Sequence, residues 1–414
     1  MEEFVLEELE TNQHEKCKKR GFWKGFFCAT ILFVVLSAIC IFVSMFVKVR
    51  LVSNKTSNLV TTNEEVHSKL TFLESYIRKY YLDEIDDKQV EDYLYYGLVA
   101  GLGDPYAAYY NEEETQSMMD SSSGNYCGIG AVFSQNLMTG VITVTRVYEG
   151  CPSYEAGLLP EDILYKVEGE EVTGQDLTNV VMKIKGEEGT EVTLTMIRGE
   201  EEIDFTMKRQ MIEVPTIEHQ MLNDQIGYIM ISEFDGVTDE QFLVALEDLQ
   251  SQNMTALVID LRNNGGGSVE SVCNIADALL PEGPIVYTEY KGEDRTERSS
   301  DSACVELPMA VLINGSSASA SEILSGALQD YEKAVIVGTQ SYGKGIVQSV
   351  FDLQDGTALK LTTAKYYTPD GNDIHGVGIT PDVEIDLPEE LKSEVTLTVE
   401  EDVQLQKAIE VLQQ

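Results

Sequence analysis

The chain has 414 residues, 43% of them hydrophobic, which is enough to bury more than one core, so two or three domains are expected. Its 71 acidic against 29 basic residues give a formal net charge of -42, which repels phosphate backbones and argues against nucleic acid as a partner. Seven cysteines at wide, irregular spacings, with four histidines, match no structural zinc pattern, and no metal is expected.

From Gly25 to Val47 run 23 uncharged residues rich in Phe, Ile, Leu and Val, long enough to cross a hydrocarbon core of about 30 Å. The run exceeds a signal-peptide core and lacks an Ala-x-Ala cleavage site, so a retained transmembrane anchor is expected at 25–47 behind a tail at 1–24. Lys16, Lys18, Lys19, Arg20 and Lys24 crowd the N-terminal flank. The positive-inside rule puts this flank in the cytoplasm, so the chain is expected to pass the cytoplasmic membrane once, with its large C-terminal part outside. Cys127, Cys151, Cys273 and Cys304 would then lie outside, where a disulfide is allowed but not required.

The next segment, 48–118, reads as linker and small helical region. Val66, Leu70, Leu73, Tyr76, Ile77 and Tyr80 recur at helical spacing within Asn63 to Tyr81, and a second helix is expected over Asp87 to Leu102, stopped at Gly103-Asp104-Pro105-Tyr106.

After the polar break at Ser121 to Gly124, strand-like runs such as Val141 to Arg146 begin a mostly β domain. Gly150-Cys-Pro-Ser-Tyr-Glu-Ala-Gly-Leu158, Pro160-Glu-Asp-Ile-Leu164, a helix near Leu177 to Ile184 and a strand at Glu191 to Ile197 follow. Together they resemble a PDZ domain over roughly 119–210. The resemblance implies that Gly128, Ile129, Gly130 and Ala131 form the turn that captures a peptide carboxylate while the peptide adds a strand to the sheet edge. Glu161 stands where domains of this type usually have Gly.

From Gln225 the pattern alternates between strands and helices, which predicts an α/β core within 211–414. Strands are expected at Ile226 to Ile231, Ala256 to Leu261, Met309 to Ile313, Ala334 to Gly338 and Ile346 to Phe351. Helices are expected near Asp239 to Gln250, Val269 to Leu280 and Ser321 to Leu328. Asn314-Gly-Ser-Ser-Ala-Ser-Ala-Ser-Glu322 lies between a strand and a helix, which puts small hydroxyls on an exposed turn at a helix N-terminus. Free N–H groups and the helix dipole there suit an oxyanion, although serines at such a turn are also ordinary N-caps. Ser341-Tyr-Gly-Lys-Gly345 sets one lysine between glycines before a strand. Such a lysine serves as a base only if burial lowers its pKa.

These two elements, with Asp260-Leu-Arg-Asn-Asn-Gly-Gly-Gly267 upstream, resemble the carboxy-terminal processing (tail-specific) serine proteases over nearly everything after the anchor. The resemblance implies Ser319 as nucleophile, Lys344 as general base and Gln348 as the residue orienting the lysine. It also implies an oxyanion hole from the backbone N–H groups of Ala320 and of a glycine of the upstream loop, expected to be Gly265 with Gly266 as its neighbour. Ser317 and Ser321 are read as structural neighbours, Asp260 and Arg262 as scaffold, and Glu322 as a brace of the helix start. Ser316 replaces the glycine that usually opens the serine run.

Gly338 to Lys344 also satisfies seven positions of a phosphate loop, but Gly345 stands where magnesium needs Ser or Thr and a strand follows where a helix is required. A Ser-His-Asp site is weakened because His375 lies in a Gly-rich loop. A catalytically inactive PDZ-bearing membrane scaffold is the remaining alternative, and retention of Ser319, Lys344 and Gln348 argues against it. The expected function is a cofactor-free, membrane-anchored endopeptidase acting on polypeptides with unstructured C-termini. The segment after Asp386, with a helix begun at the Thr398-x-x-Glu401 pattern, is expected to pack on the core or to mediate assembly into a homo-oligomer.

Overall fold

A computed structural model describes residues 63–292, 295–392 and 397–413. The expected tail and anchor at 1–47 lie outside the described residues, among which no helix is long and apolar enough to cross a membrane. The described residues divide into two units, one up to Val90 and one from Glu91 onward. In the first, α1 (Glu64–Tyr80) is capped by the Asn63 side chain and carries Glu64 and Glu65 at its start and Arg78 and Lys79 at its end, which complements the helix dipole. None of its residues is buried.

Helix α2 (Asp87–Ala100) runs into the second unit and ends two residues earlier than expected. Strand β1 (Ala108–Tyr110) follows, with the Tyr109 ring tilted against Tyr95 and edge-on to Tyr96. Neither β1 nor the next element, α3 (Glu112–Ser123), is among the sequence expectations. Helix α3 exists because Asn111 and Glu114 form a reciprocal capping box and Gly124 ends it in the left-handed conformation.

The β domain contains β2 (Asn125–Gly128), β3 (Ala131–Gln135), β4 (Ile142–Val147), α4 (Pro152–Ala156), β5 (Ile163–Val167), β6 (Glu170–Glu171), α5 (Leu177–Ile184), β7 (Glu191–Arg198), β8 (Glu201–Lys208) and β9 (Gln210–Glu213). Its antiparallel sheet runs β3-β4-β5-β7-β8, leaving β3 at an edge. Alternate residues of β4 and β7, such as Ile142, Val144, Val192, Leu194 and Met196, pack beneath Val180 and Ile184 of α5. Glu161 adopts φ 73°, so the backbone keeps the conformation glycine would take there. Strands β2 and β9 pair from Asn125↔Glu213 to Gly128↔Gln210, so the chain enters and leaves the domain side by side.

The core is built from β10 (Ile217–Met221), β11 (Ile226–Ile231), α6 (Thr238–Ser251), β12 (Ala256–Asp260), α7 (Val269–Leu279), β13 (Gly283–Tyr290), β14 (Arg295–Ser300), β15 (Met309–Ile313), α8 (Ala320–Asp330), β16 (Ala334–Gly338), β17 (Ile346–Asp352), β18 (Ala358–Tyr367), β19 (Val383–Glu384) and α9 (Val403–Leu412). The main sheet is ordered β10-β11-β12-β15-β16-β19, antiparallel at β10 and parallel from β11 onward. Strands β12 and β15 are buried at every position because α6, α7 and α8 cover one face and α9 the other.

A second sheet, β1-β18-β13-β14 with β17 also on β18, stands beside α8. The Thr398-x-x-Glu401 bonds exist, but the helix starts later, at Val403, capped by Asp402. Its Leu405 and Ala408 pack on the core.

Candidate active site

Strands β12 and β15 end at Asp260 and Ile313, and the loops that follow their carboxyl ends converge, as expected for a site on a parallel sheet. Ala318 N–H donates to the Asn264 carbonyl at 3.0 Å, and the Ser321 hydroxyl donates to the same carbonyl at 3.0 Å. The Ser317 hydroxyl donates to the Leu261 carbonyl at 2.7 Å. Both serines are buried, and their hydroxyls bond one loop to the other.

Ser319 stands between them at φ 56° and ψ -113°, a strained conformation for a residue with a Cβ, costing about 1–3 kcal/mol. It precedes the first residue of α8, so its hydroxyl sits at the positive end of the helix dipole.

Glu322 holds that strain. Its side chain is fully buried, and Oε2 accepts N–H donors from Ser319 and Lys344, each at 2.8 Å. Oε1 accepts the Ser341 hydroxyl at 2.5 Å and the Gly343 N–H at 2.7 Å. One carboxylate thus ties the backbone of the serine turn to that of the lysine loop. The buried Tyr366 hydroxyl, from β18, adds a second tie by sharing its proton between the carbonyls of Ser319, at 3.0 Å, and Lys344.

Ser319, Lys344, Gln348 and Gly265 line one cavity of about 680 Å³, together with Met118, Met119, Ser122 and Ser123 of α3. Lys344 is pushed below its ordinary value by burial and by Lys360, with Glu322 opposing. Among the described residues no hydrogen bond joins Ser319 Oγ to Lys344 Nζ. Gln348 Nε2 reaches Thr362 Oγ1 at 3.4 Å and does not bond the lysine.

The two glycines of the oxyanion loop differ. Gly266 N–H is taken by Asn264 Oδ1 at 2.8 Å, whereas the N–H groups of Gly265 and Ala320 have no partner among the described residues.

In the β domain, Gly128 ends β2, Ile129 is buried in the core, Gly130 turns at φ 76° and Ala131 opens the edge strand β3. The Gly130 carbonyl is occupied by Tyr148 N–H and the Ser153 hydroxyl. Cys127, Cys151, Cys273 and Cys304 are all free thiols. Sequence reasoning had Glu322 only as a brace of its own helix and missed the bonds to Ser341, Gly343 and Lys344. It also missed Tyr366, which no motif marks, and saw Tyr106 only as part of the stop after the second helix, although its ring faces Lys344.

A strained serine at a helix N-terminus and a half-buried lysine of lowered basicity in one cavity, beside a domain with an exposed sheet edge, define the class of serine peptidases. Residues 225–385 match the model of peptidase family S41, and residues 143–198 match a PDZ domain model. A probable CtpA-like serine protease of Staphylococcus aureus (strain COL) is 35% identical over 341 residues, spanning 81% of this chain and 68% of that one.

Among solved structures, an S41 protease from Bacteroides fragilis matches with TM-score 0.50 at 18% identity, over 80% of this chain and 92% of that one. The photosystem II D1 C-terminal processing protease is 28% identical over 77% of this chain and 88% of that one, with TM-score 0.46. The chain belongs to peptidase family S41, as a serine peptidase of the C-terminal processing type with a PDZ domain.

Proposed function

We propose that this peptidase is anchored in the cytoplasmic membrane by residues 25–47, with its N-terminus cytoplasmic, and cleaves the unstructured C-terminal tails of extracytoplasmic polypeptides with a Ser319/Lys344 dyad. The observation that carries the reading is the single carboxylate of Glu322, which bonds the backbones of both Ser319 and Lys344 at one cavity. In this mechanism a tail adds a strand to β3, its terminus at Gly128 to Ala131, and its upstream segment reaches Ser319.

Neutral Lys344 takes the hydroxyl proton as Ser319 Oγ attacks the scissile carbonyl. The resulting oxyanion is bound by the N–H groups of Ala320 and Gly265, each worth about 3 kcal/mol by analogy with other oxyanion donors. Lys344 returns the proton to the leaving amine, then activates the water that hydrolyses the ester. Gln348 moves from Thr362 to orient the lysine once substrate is bound. No cofactor takes part in these steps.

The test uses the full-length protein in detergent with an unstructured polypeptide ending in a free apolar terminus. Ser319→Ala and Lys344→Ala should each lower cleavage at least about 1000-fold with unchanged thermal unfolding. Retention of activity in either folded variant would refute the dyad.

A further inference from the structure

Among the described residues, the Lys344 ammonium rests on an aromatic face: Nζ lies 4.7 Å from the centroid of the Tyr106 ring. At this range a cation is attracted by the ring quadrupole. Tyr106 is held there on several sides. It closes the turn after α2, where Asp104 Oδ1 accepts the Tyr106 N–H at 2.9 Å. This bond is the largest of the effects that keep the Asp104 carboxyl below the usual carboxylate range, with Thr362 of β18 acting in the same direction.

Thr362 lies opposite Gln348 in the β17/β18 register. Two residues beyond Tyr106, β1 pairs with β18 through Ala108↔Lys360. The Tyr106 hydroxyl lies beside Tyr342, two residues before the lysine. The turn is therefore tied to the strand that carries Lys360 and Tyr366, and its Tyr106 ring lies against the lysine.

We propose that Tyr106 is the positioning residue for the catalytic lysine, its ring face seating the Lys344 ammonium and favouring the protonated side chain over the neutral base. The proposal rests on Lys344 being that base. The charged and titratable groups around the lysine are Glu322 from α8, Lys360 and Tyr366 from β18, Asp352 from β17, Tyr342 from its own loop, and Asp104 and Tyr106 from the turn. Burial and Lys360 favour the neutral form, while Glu322 opposes them; the ring acts on the side of Glu322. The catalytic form is neutral lysine, so kcat/KM falls on the acid side as Lys344 gains its proton. Weakening the ring's attraction lowers the lysine pKa and moves that limb to lower pH.

The experiment replaces Tyr106 by phenylalanine and by phenylalanines carrying increasing numbers of ring fluorines, which drain the quadrupole at nearly constant shape, and by leucine. The readout is kcat/KM against pH for the full-length enzyme. The acid limb of Tyr106→Phe should stay near the wild type, then move down stepwise with fluorination by about half a pH unit in total, with Tyr106→Leu at the far end. A limb that stays fixed across the series, or moves up, overturns the proposal. A purely structural role would lower the plateau and leave the limb in place. If Tyr106→Leu does not fold, the fluorinated series decides alone. Full activity in Lys344→Ala would overturn the dyad and this proposal together, whereas an inactive Lys344→Ala with an immobile limb sinks this proposal only.

Discussion

At Glu322 one carboxylate does two jobs. The bond that Ser319 N–H donates to Oε2 is local, three residues apart, and belongs to the capping pattern that Ser319-x-x-Glu322 displays. The bonds to Ser341, Gly343 and Lys344 come from residues 19 to 22 positions later and exist only because β15 and β16 lie side by side. Hence a brace for its own helix was legible, and the link to the lysine loop was not.

A carboxylate this buried is tolerable because four donors satisfy it. Glu322→Gln turns one oxygen into a donor aimed at other donors. Unfolding free energy should drop by about 2–4 kcal/mol, and kcat/KM should fall by about 100-fold or more as the two loops lose register. Chemical denaturation and steady-state kinetics measure both, and a variant unchanged in each would show that the carboxylate is dispensable.

Elements differ in how openly they advertise themselves. The parallel strands β11, β12, β15 and β16 were expected within one residue of where they lie, because each is a short apolar run with no polar face to blur it. Helix α3 is Glu-Glu-Glu-Thr-Gln-Ser-Met-Met-Asp-Ser-Ser-Ser, with almost no apolar stripe, and its signal was the cap at Asn111 and Glu114. Strand β14, Arg-Thr-Glu-Arg-Ser-Ser, is exposed at all but its last residue, so alternation had nothing to report.

The oxyanion loop was legible as glycine-rich but not glycine by glycine, since the distinction is made by the Asn264 side chain. Gly266, at φ 102°, has no room for a Cβ: one built there would lie 2.7 Å from the Ala318 carbonyl oxygen and from Ser319 Cβ, and 2.9 Å from Ala320 N. Gly266→Ala should therefore push the loop off the serine turn, lowering kcat by about 100-fold or more with a smaller change in KM, because the missing contact is one made in the transition state. Gly265 has open space at its Cβ position, so Gly265→Ala should keep most of the activity. Equal losses in the two variants would mean that crowding at Gly266 is not what matters.

Across the whole molecule, the catalytic end of β12 is tied to the chain's last helix. Arg262 is nearly buried and bonds Asp260 at 2.6 Å and Asp402 at 2.7 Å. Its guanidinium also donates to Gln404 Oε1 at 3.0 Å, and Tyr228 donates to Asp260 at 2.8 Å. Asp402 is at once the N-cap of α9, accepting N–H groups of Gln404 and Leu405, and a counter-ion to a residue 140 positions earlier.

Sequence reasoning treated Asp260 and Arg262 as scaffold and left α9 between packing and self-association; the partner that docks it was invisible because nothing local marks Asp402 as more than a cap. Asp402→Ala removes the cap and leaves Arg262 with one carboxylate, so it should destabilise the second unit by about 3 kcal/mol. Asp402→Asn keeps the cap acceptor and should cost less. Because Arg262 is followed directly by Asn263, Asn264 and Gly265, undocking α9 should also loosen the oxyanion loop, and kcat should fall in Asp402→Ala before global unfolding is reached. Urea titrations followed by both fluorescence and peptidase activity test this: activity lost at lower urea than the fold confirms the coupling, and coincident curves would make α9 a stability element alone.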